Sequence, residues 1–150
     1  MKTYLAAVAL AAGLAQPASA TTFPTLTTIY VGAGVSSHNN SATSFHCSNV
    51  SGVAVSLRFL LLDAAGAIAG FHTANIVHGR TYSVTTRETN VFVEDFIFAP
   101  PLQITEGVVN VEATNSAMFC TAKVVDPAAD VPTGFSLPLV RVNPHPGTVE

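Results

Sequence analysis

Cys47 and Cys120 are the residues in this chain best suited to chemistry. Paired thiols can run a redox cycle, hold a metal or close a disulfide. No Cys-x-x-Cys spacing is present, and two cysteines alone cannot fill a four-ligand structural zinc site. The expected outcome is a structural disulfide joining an early strand to a late one. Closing a loop of that length constrains the unfolded chain by about 4 kcal/mol in the chain-entropy account.

The histidines are the next candidates: His38, His46, His72, His78 and His145. A locally built metal site wants two of them at i, i+2 on a strand or i, i+4 on a helix, with a carboxylate nearby. No such pair occurs, so no metal and no other cofactor is expected. His46 and His72 fall in strand-like segments and would meet only through folding; the others fall in turns or at the C-terminal end. Glu94 and Asp95 are adjacent, so a strand would send them to opposite faces, where they cannot work as a pair. The simpler expectation is that such a carboxylate reaches backbone donors or an arginine. Catalysis from this set would require His46, His72 and Glu94 or Asp95 to converge from distant parts of the chain. Gly32-Ala33-Gly34 lacks the third glycine and the following helix of a dinucleotide fingerprint. Gly-x-Ser-x-Gly, phosphate-loop and His-Glu-x-x-His patterns are absent. Asn39-Asn40-Ser41 and Asn49-Val50-Ser51 match the glycosylation acceptor pattern, which matters only in a eukaryote.

Whether those cysteines oxidise depends on compartment, and the first twenty residues address it. Met1-Lys2 is a positive start, Leu5 to Leu14 contains only Leu, Ala, Val and one Gly, and Ala18-Ser19-Ala20 is a small-x-small cleavage site. This is the layout of a secretory signal peptide over residues 1–20, of a length that suits a bacterium. The mature protein, from near Thr21, is expected to be secreted or periplasmic, where disulfides persist. Beyond that segment no apolar run approaches the ~18 residues that would span a bilayer.

Charged residues make up 10% of the chain, against about 25% in typical globular domains. The net charge is −3, and becomes −4 when Lys2 leaves with the signal segment. No basic cluster exists, which argues against nucleic acid as a partner. So few charges on a β protein favour self-association, because charge is what usually keeps strand edges apart.

The elements that must position these residues alternate with period two almost throughout. Thr27 to Val35 reads as a strand with Ile29, Val31 and Val35 on one face and Thr28 and Tyr30 on the other, and with a bulge or bend at Gly32 and Gly34. Ala42 to Ser48 sends Thr43, Phe45 and Cys47 one way and Ser44 and His46 the other. Val53 to Leu62 is the clearest core strand, with Val53, Val55, Leu57, Phe59 and Leu61 alternating with Ala54, Ser56, Arg58 and Leu60. Asp63 to Gly66 is a hairpin loop. Strands are expected over Ala67 to Val77, Arg80 to Arg87, Val91 to Phe98, Gly107 to Thr114, Ala117 to Val125 and Phe135 to Val142. Asp126 to Asp130 is expected to form a single helical turn capped by Asp126. Short strands at this spacing indicate an all-β fold: an antiparallel β-sandwich, immunoglobulin-like in the broad sense, with about seven or eight strands and one disulfide. A small barrel is the alternative. The domain is assigned to residues 21–143 and a C-terminal tail to residues 144–150.

The chain from Thr21 onward resembles a group of uncharacterised short secreted bacterial β-sandwich proteins. The shared features are Ala42-Thr43-Ser44-Phe45-His46-Cys47-Ser48-Asn49, Glu94-Asp95, Phe119-Cys120-Thr121-Ala122 and the ending Leu139 to Thr148. The resemblance implies secretion and a β fold. Ile76 to Val84 is also similar to the apolar-x-Pro-Gly-x-Thr-x-x-Val stretch of bacterial immunoglobulin-like modules, with His78 where those modules carry Pro.

The expected function is non-enzymatic: binding or assembly at the cell exterior. The partner would be a protein, a surface glycan or a second copy. One alternative is a fibre subunit donating a strand from Thr25 to Val31 or from Leu137 to Val142. The other is a small secreted hydrolase built from the distant histidines and carboxylates.

Overall fold

A computed structural model describes residues 20–98 and 102–142. Most of the signal segment and the tail therefore lie outside the described residues, as does His145. Ten strands follow in chain order: β1 (Thr22–Ser37), β2 (Ala42–Asn49), β3 (Val55–Asp63), β4 (Ile68–Ile76), β5 (Thr81–Thr85), β6 (Phe96–Ile97), β7 (Ile104–Asn115), β8 (Met118–Val125), β9 (Gly134–Leu137) and β10 (Val140–Arg141). They form two five-stranded sheets. Sheet A has the order β10-β1-β7-β3-β4 and sheet B the order β6-β5-β2-β8-β9. The fold is the expected all-β sandwich. The strand count is higher because the C-terminal run divides into two short edge strands, β9 and β10. All pairs are antiparallel except β5 with β6, which is parallel.

The core lies between the sheets. Val55, Leu57, Phe59 and Leu61 of β3 point inward from sheet A, and Phe45, Cys47 and Val84 meet them from sheet B. Phe45 and Phe59 touch across the gap, with ring centroids 5.7 Å apart. Apolar burial of this kind contributes about 1.5–3 kcal/mol for each large side chain.

The alternation read for β1 changes at Ile29. A register shift between Thr28 and Tyr30 inserts one extra residue there, the signature of a β-bulge. Ile29 and Tyr30 are consequently both buried, and Val31 turns outward. The Tyr30 hydroxyl donates to the Met118 carbonyl at 2.8 Å, so its polar end is satisfied inside the core. The bend expected nearby falls at Gly34, which sits at φ +91° beside a second register shift. Gly32 has a different task. A Cβ there would lie 2.6 Å from Leu139 and 2.7 Å from Leu137, so its bareness admits the side chains that close this flank of the sandwich.

Three expected elements differ. Val91 to Phe98 is not one strand; only Phe96–Ile97 pairs, and residues 91–95 are irregular. The Asp126 segment is a turn in place of a helical turn, with Asp126 Oδ1 accepting from the Ala128 amide at 3.0 Å. Phe135 to Val142 splits at Pro138-Leu139: β9 pairs with β8 in sheet B and β10 with β1 in sheet A. Proline cannot continue a ladder, and here it marks the crossing between sheets. Val53, read as inward, precedes β3 and is exposed.

Candidate functional site

The two cysteines are joined: Cys47 and Cys120 form a disulfide closing 73 residues of chain. They sit directly opposite each other on the neighbouring strands β2 and β8. Their Cα atoms are 4.2 Å apart, the close spacing of a non-hydrogen-bonded antiparallel pair. The bond therefore staples two strands within sheet B and faces the core. It does not bridge the two sheets, as the disulfide of antibody domains does.

His46 lies on the outer face of sheet B, as does Ser83 opposite it on β5. Ser44 Oγ is 3.0 Å from His46 Nε2, and Ser83 Oγ is 2.9 Å from Nδ1. Residues between β5 and β6 fold back over this face, and Phe92 packs edge-on to the imidazole with centroids 4.7 Å apart. Burial pushes the His46 pKa down, the Lys123 ammonium pushes it further down, and Glu94 pulls it partly back. The ring is thus held neutral, donating to one serine and accepting from the other. A serine hydroxyl beside a neutral imidazole is the start of a nucleophilic pair. Ser44, however, has no exposed surface, so an external carbonyl does not reach its oxygen. Ser83, half-buried, completes a set of contacts that ties β2, β5 and the covering segment together.

His72 lies on β4 and faces inward at the open flank between the sheets. It stacks on Phe96 with centroids 3.6 Å apart, and its Nε2 is 2.9 Å from the Tyr82 hydroxyl. Tyr82 pairs with Cys47 and so belongs to the inner face of sheet B, whereas His46 belongs to the outer face. The sheet itself separates the two histidines. Burial lowers the His72 pKa and raises that of Tyr82, with Asp95 adding to the latter and Arg80 opposing it.

The carboxylates behave as the simpler expectation had it. Glu94 accepts from the Thr89 amide at 3.0 Å and from its hydroxyl at 2.6 Å. Asp95 accepts from the Ser83 amide at 2.8 Å and from Arg80 at 2.6 Å. His78 accepts from the Gly52 amide at 3.0 Å, and His38 reaches Gln103 at 3.4 Å. Among the described residues no group of three or more His, Cys, Asp or Glu is placed to hold a metal ion.

The feature that residue-by-residue reading missed is the outer face of sheet A. Residues opposite one another on paired strands share a face. Register therefore strings Val140, Val31, Asn110, Leu60 and Phe71 into one row across all five strands. The next row is Ala33, Val108, Leu62 and Ile68. Phe71, Ile68 and Val140 are 63%, 65% and 65% exposed. Eight apolar side chains thus form a contiguous solvent-facing surface with a single asparagine in it. The adjacent row holds Thr28, Glu112, Arg58 and Thr73. Arg58 and Glu112 pair there, and Glu112 is almost fully buried beneath the guanidinium. A shallow recess of about 350 Å³ borders the apolar rows, walled by Leu62, Val108, Asp63 and Glu106. The signal was present as Leu60 and Leu62, apolar residues at positions alternating with the core set, but the face becomes visible only when four neighbouring strands contribute to it.

No protein-family model, curated protein or solved structure matches the chain. The described residues contain no helix long and apolar enough to cross a membrane.

Proposed function

We propose that this chain is an extracytoplasmic, non-enzymatic β-sandwich that works by binding or assembly through the outer face of sheet A. The observation carrying this reading is the two-row apolar surface from Val140 to Phe71 and from Ala33 to Ile68. Contiguous exposed apolar surface on a folded domain marks interaction sites, because leaving it in water forgoes roughly 25 cal/mol for each Å². The disulfide supports an oxidising compartment. His46, His72, Glu94 and Asp95 support the non-enzymatic half, since each is engaged in bracing contacts and the two strand histidines lie on opposite sides of sheet B. An apolar face fits another protein surface better than a glycan, whose hydroxyls need hydrogen-bond partners that these two rows offer only at Asn110.

Site-specific photo-crosslinking in the producing cell tests this. A benzophenone side chain at Leu60 should yield a defined adduct, and one at Thr121 on the outer face of sheet B should not. Adducts only from Thr121 would reverse the assignment of the working face.

A further inference from the structure

We infer that the occupant of this face is a second copy of the chain, stacked face to face about a two-fold axis through Asn110. The inference rests on the reading of sheet A's outer face as the working surface. Its first support is the place of the one polar side chain in the two apolar rows. Asn110 lies on β7, the middle strand of five, with Val31 and Val140 on one side and Leu60 and Phe71 on the other. A two-fold axis brings the central residue of a face against its own copy. A carboxamide suits that position because it carries both donors and an acceptor and so complements itself. A lone asparagine in an otherwise apolar interface is also a known device for fixing register between like partners.

Charge is the second support. Arg58 and Glu112 neutralise each other within one chain, so the three rows centred on Asn110 carry no net charge to repel a copy, and Asp63 and Glu106 lie beyond them at the recess. The third is size. Five strands about 4.8 Å apart are roughly 24 Å wide, and seven residues of β3 run a similar length. With β10 contributing only two residues, stacking two such faces covers roughly 1,000 Å² in projection, about what a specific interface needs. Sheets packed this way interdigitate about 10 Å apart, with strands crossing at roughly 30°.

Sedimentation velocity on the protein as its producing cell makes it should give twice the mass of one chain. Leu60→Asp should return it to a single chain. Phe71→Asp, at an already exposed position, should do the same without burdening the fold, and Thr121→Asp should leave the doubled mass unchanged. Asn110→Cys should give a covalent dimer on mild oxidation that dithiothreitol dissolves, whereas Thr121→Cys should give none. A single-chain mass up to the solubility limit overturns the inference, as does a dimer that survives both Leu60→Asp and Phe71→Asp. If the protein is a single chain yet crosslinks from Leu60 to a foreign protein, self-pairing fails and the binding face stands. If Leu60 gives no adduct of any kind, both fail.

Discussion

The outer faces of the two sheets are built from strands of the same alternating pattern, yet they carry opposite chemistry. On sheet A, two successive rows are apolar apart from Asn110, and the only charges in the adjacent row neutralise each other. On sheet B the corresponding positions are Thr81, Ser83 and Thr85 on β5, Ser44, His46 and Ser48 on β2, and Phe119, Thr121 and Lys123 on β8, a mainly polar face with one exposed aromatic ring. That face is knitted by short hydroxyl and imidazole bonds, including Ser48 to Thr81 at 2.7 Å, and is partly covered by the chain's own 86–95 segment. Sheet B also holds the disulfide. One face engages most of its hydroxyl and imidazole groups in bonds within the chain, with the Thr85 hydroxyl the buried exception among the described residues, and the other leaves its apolar rows in solvent. A surface that is internally satisfied braces the fold; one that is not is available to a partner.

The largest effect expected from breaking this contrast is loss of the staple. Cys47→Ala with Cys120→Ala should lower unfolding free energy by about 2–5 kcal/mol, measured by chemical denaturation. Hydrogen exchange should quicken most in β2 and β8, leaving β3 and β7 of sheet A less affected. Equal loosening of both sheets would mean that the disulfide supports the whole sandwich and not one layer.

On sheet A the corresponding weak point is the ion pair. Arg58→Ala should cost about 1–3 kcal/mol, because it leaves the nearly buried Glu112 carboxylate without its partner. The loss should shrink in the double variant with Glu112→Gln, where no charge is stranded; an equal loss in both would assign the effect to the arginine's aliphatic packing. Ser83→Ala on sheet B should cost about 1 kcal/mol, the net worth of one hydrogen bond to His46.

The smallest effect is a pH dependence confined to sheet B and its flank. His46 and His72 have folded pKa values below the ordinary 6.5. Between 6.5 and those lowered values the unfolded chain binds more protons than the folded one, so stability rises with pH across that window. The contribution is fully present above about pH 6.5 and is lost as pH falls through the window. The melting temperature should therefore drop on acidification from neutral pH. His46→Gln should remove part of that drop, and adding His72→Gln the rest. An unchanged slope in the double variant would show that carboxylates set it.

Local pattern was enough to read several elements. β3 is legible because Val55, Leu57, Phe59 and Leu61 alternate without interruption, and the hairpin after it because Asp63 and Gly66 supply turn chemistry. Asp63 Oδ1 does accept from the Ala65 and Ala67 amides, at 2.9 Å each, and Gly66 sits at φ +80°. Elements that depend on a partner were not legible. Residues 91–98 alternate like a strand, but only Phe96 and Ile97 pair with β5. The run from Phe135 to Val142 reads as one strand, while Pro138 hands it from one sheet to the other. In β1 the inserted Ile29 exchanges the directions of Tyr30 and Val31, which a strict period of two cannot anticipate. The histidines stand out in the sequence, but their separation by sheet B depends on which strand pairs with which.

The sequence by itself determined an all-β fold with a single candidate disulfide, because period-two alternation and one pair of cysteines are local facts that any folded state must honour. Sandwich rather than barrel was settled by strand pairing. Tertiary structure alone decided where the disulfide lies within its sheet, which histidine faces which side, and that Val140, Val31, Leu60 and Phe71 meet on one surface. Those outcomes follow from strand register, set by the simultaneous packing of both sheets, and no single strand carries that information.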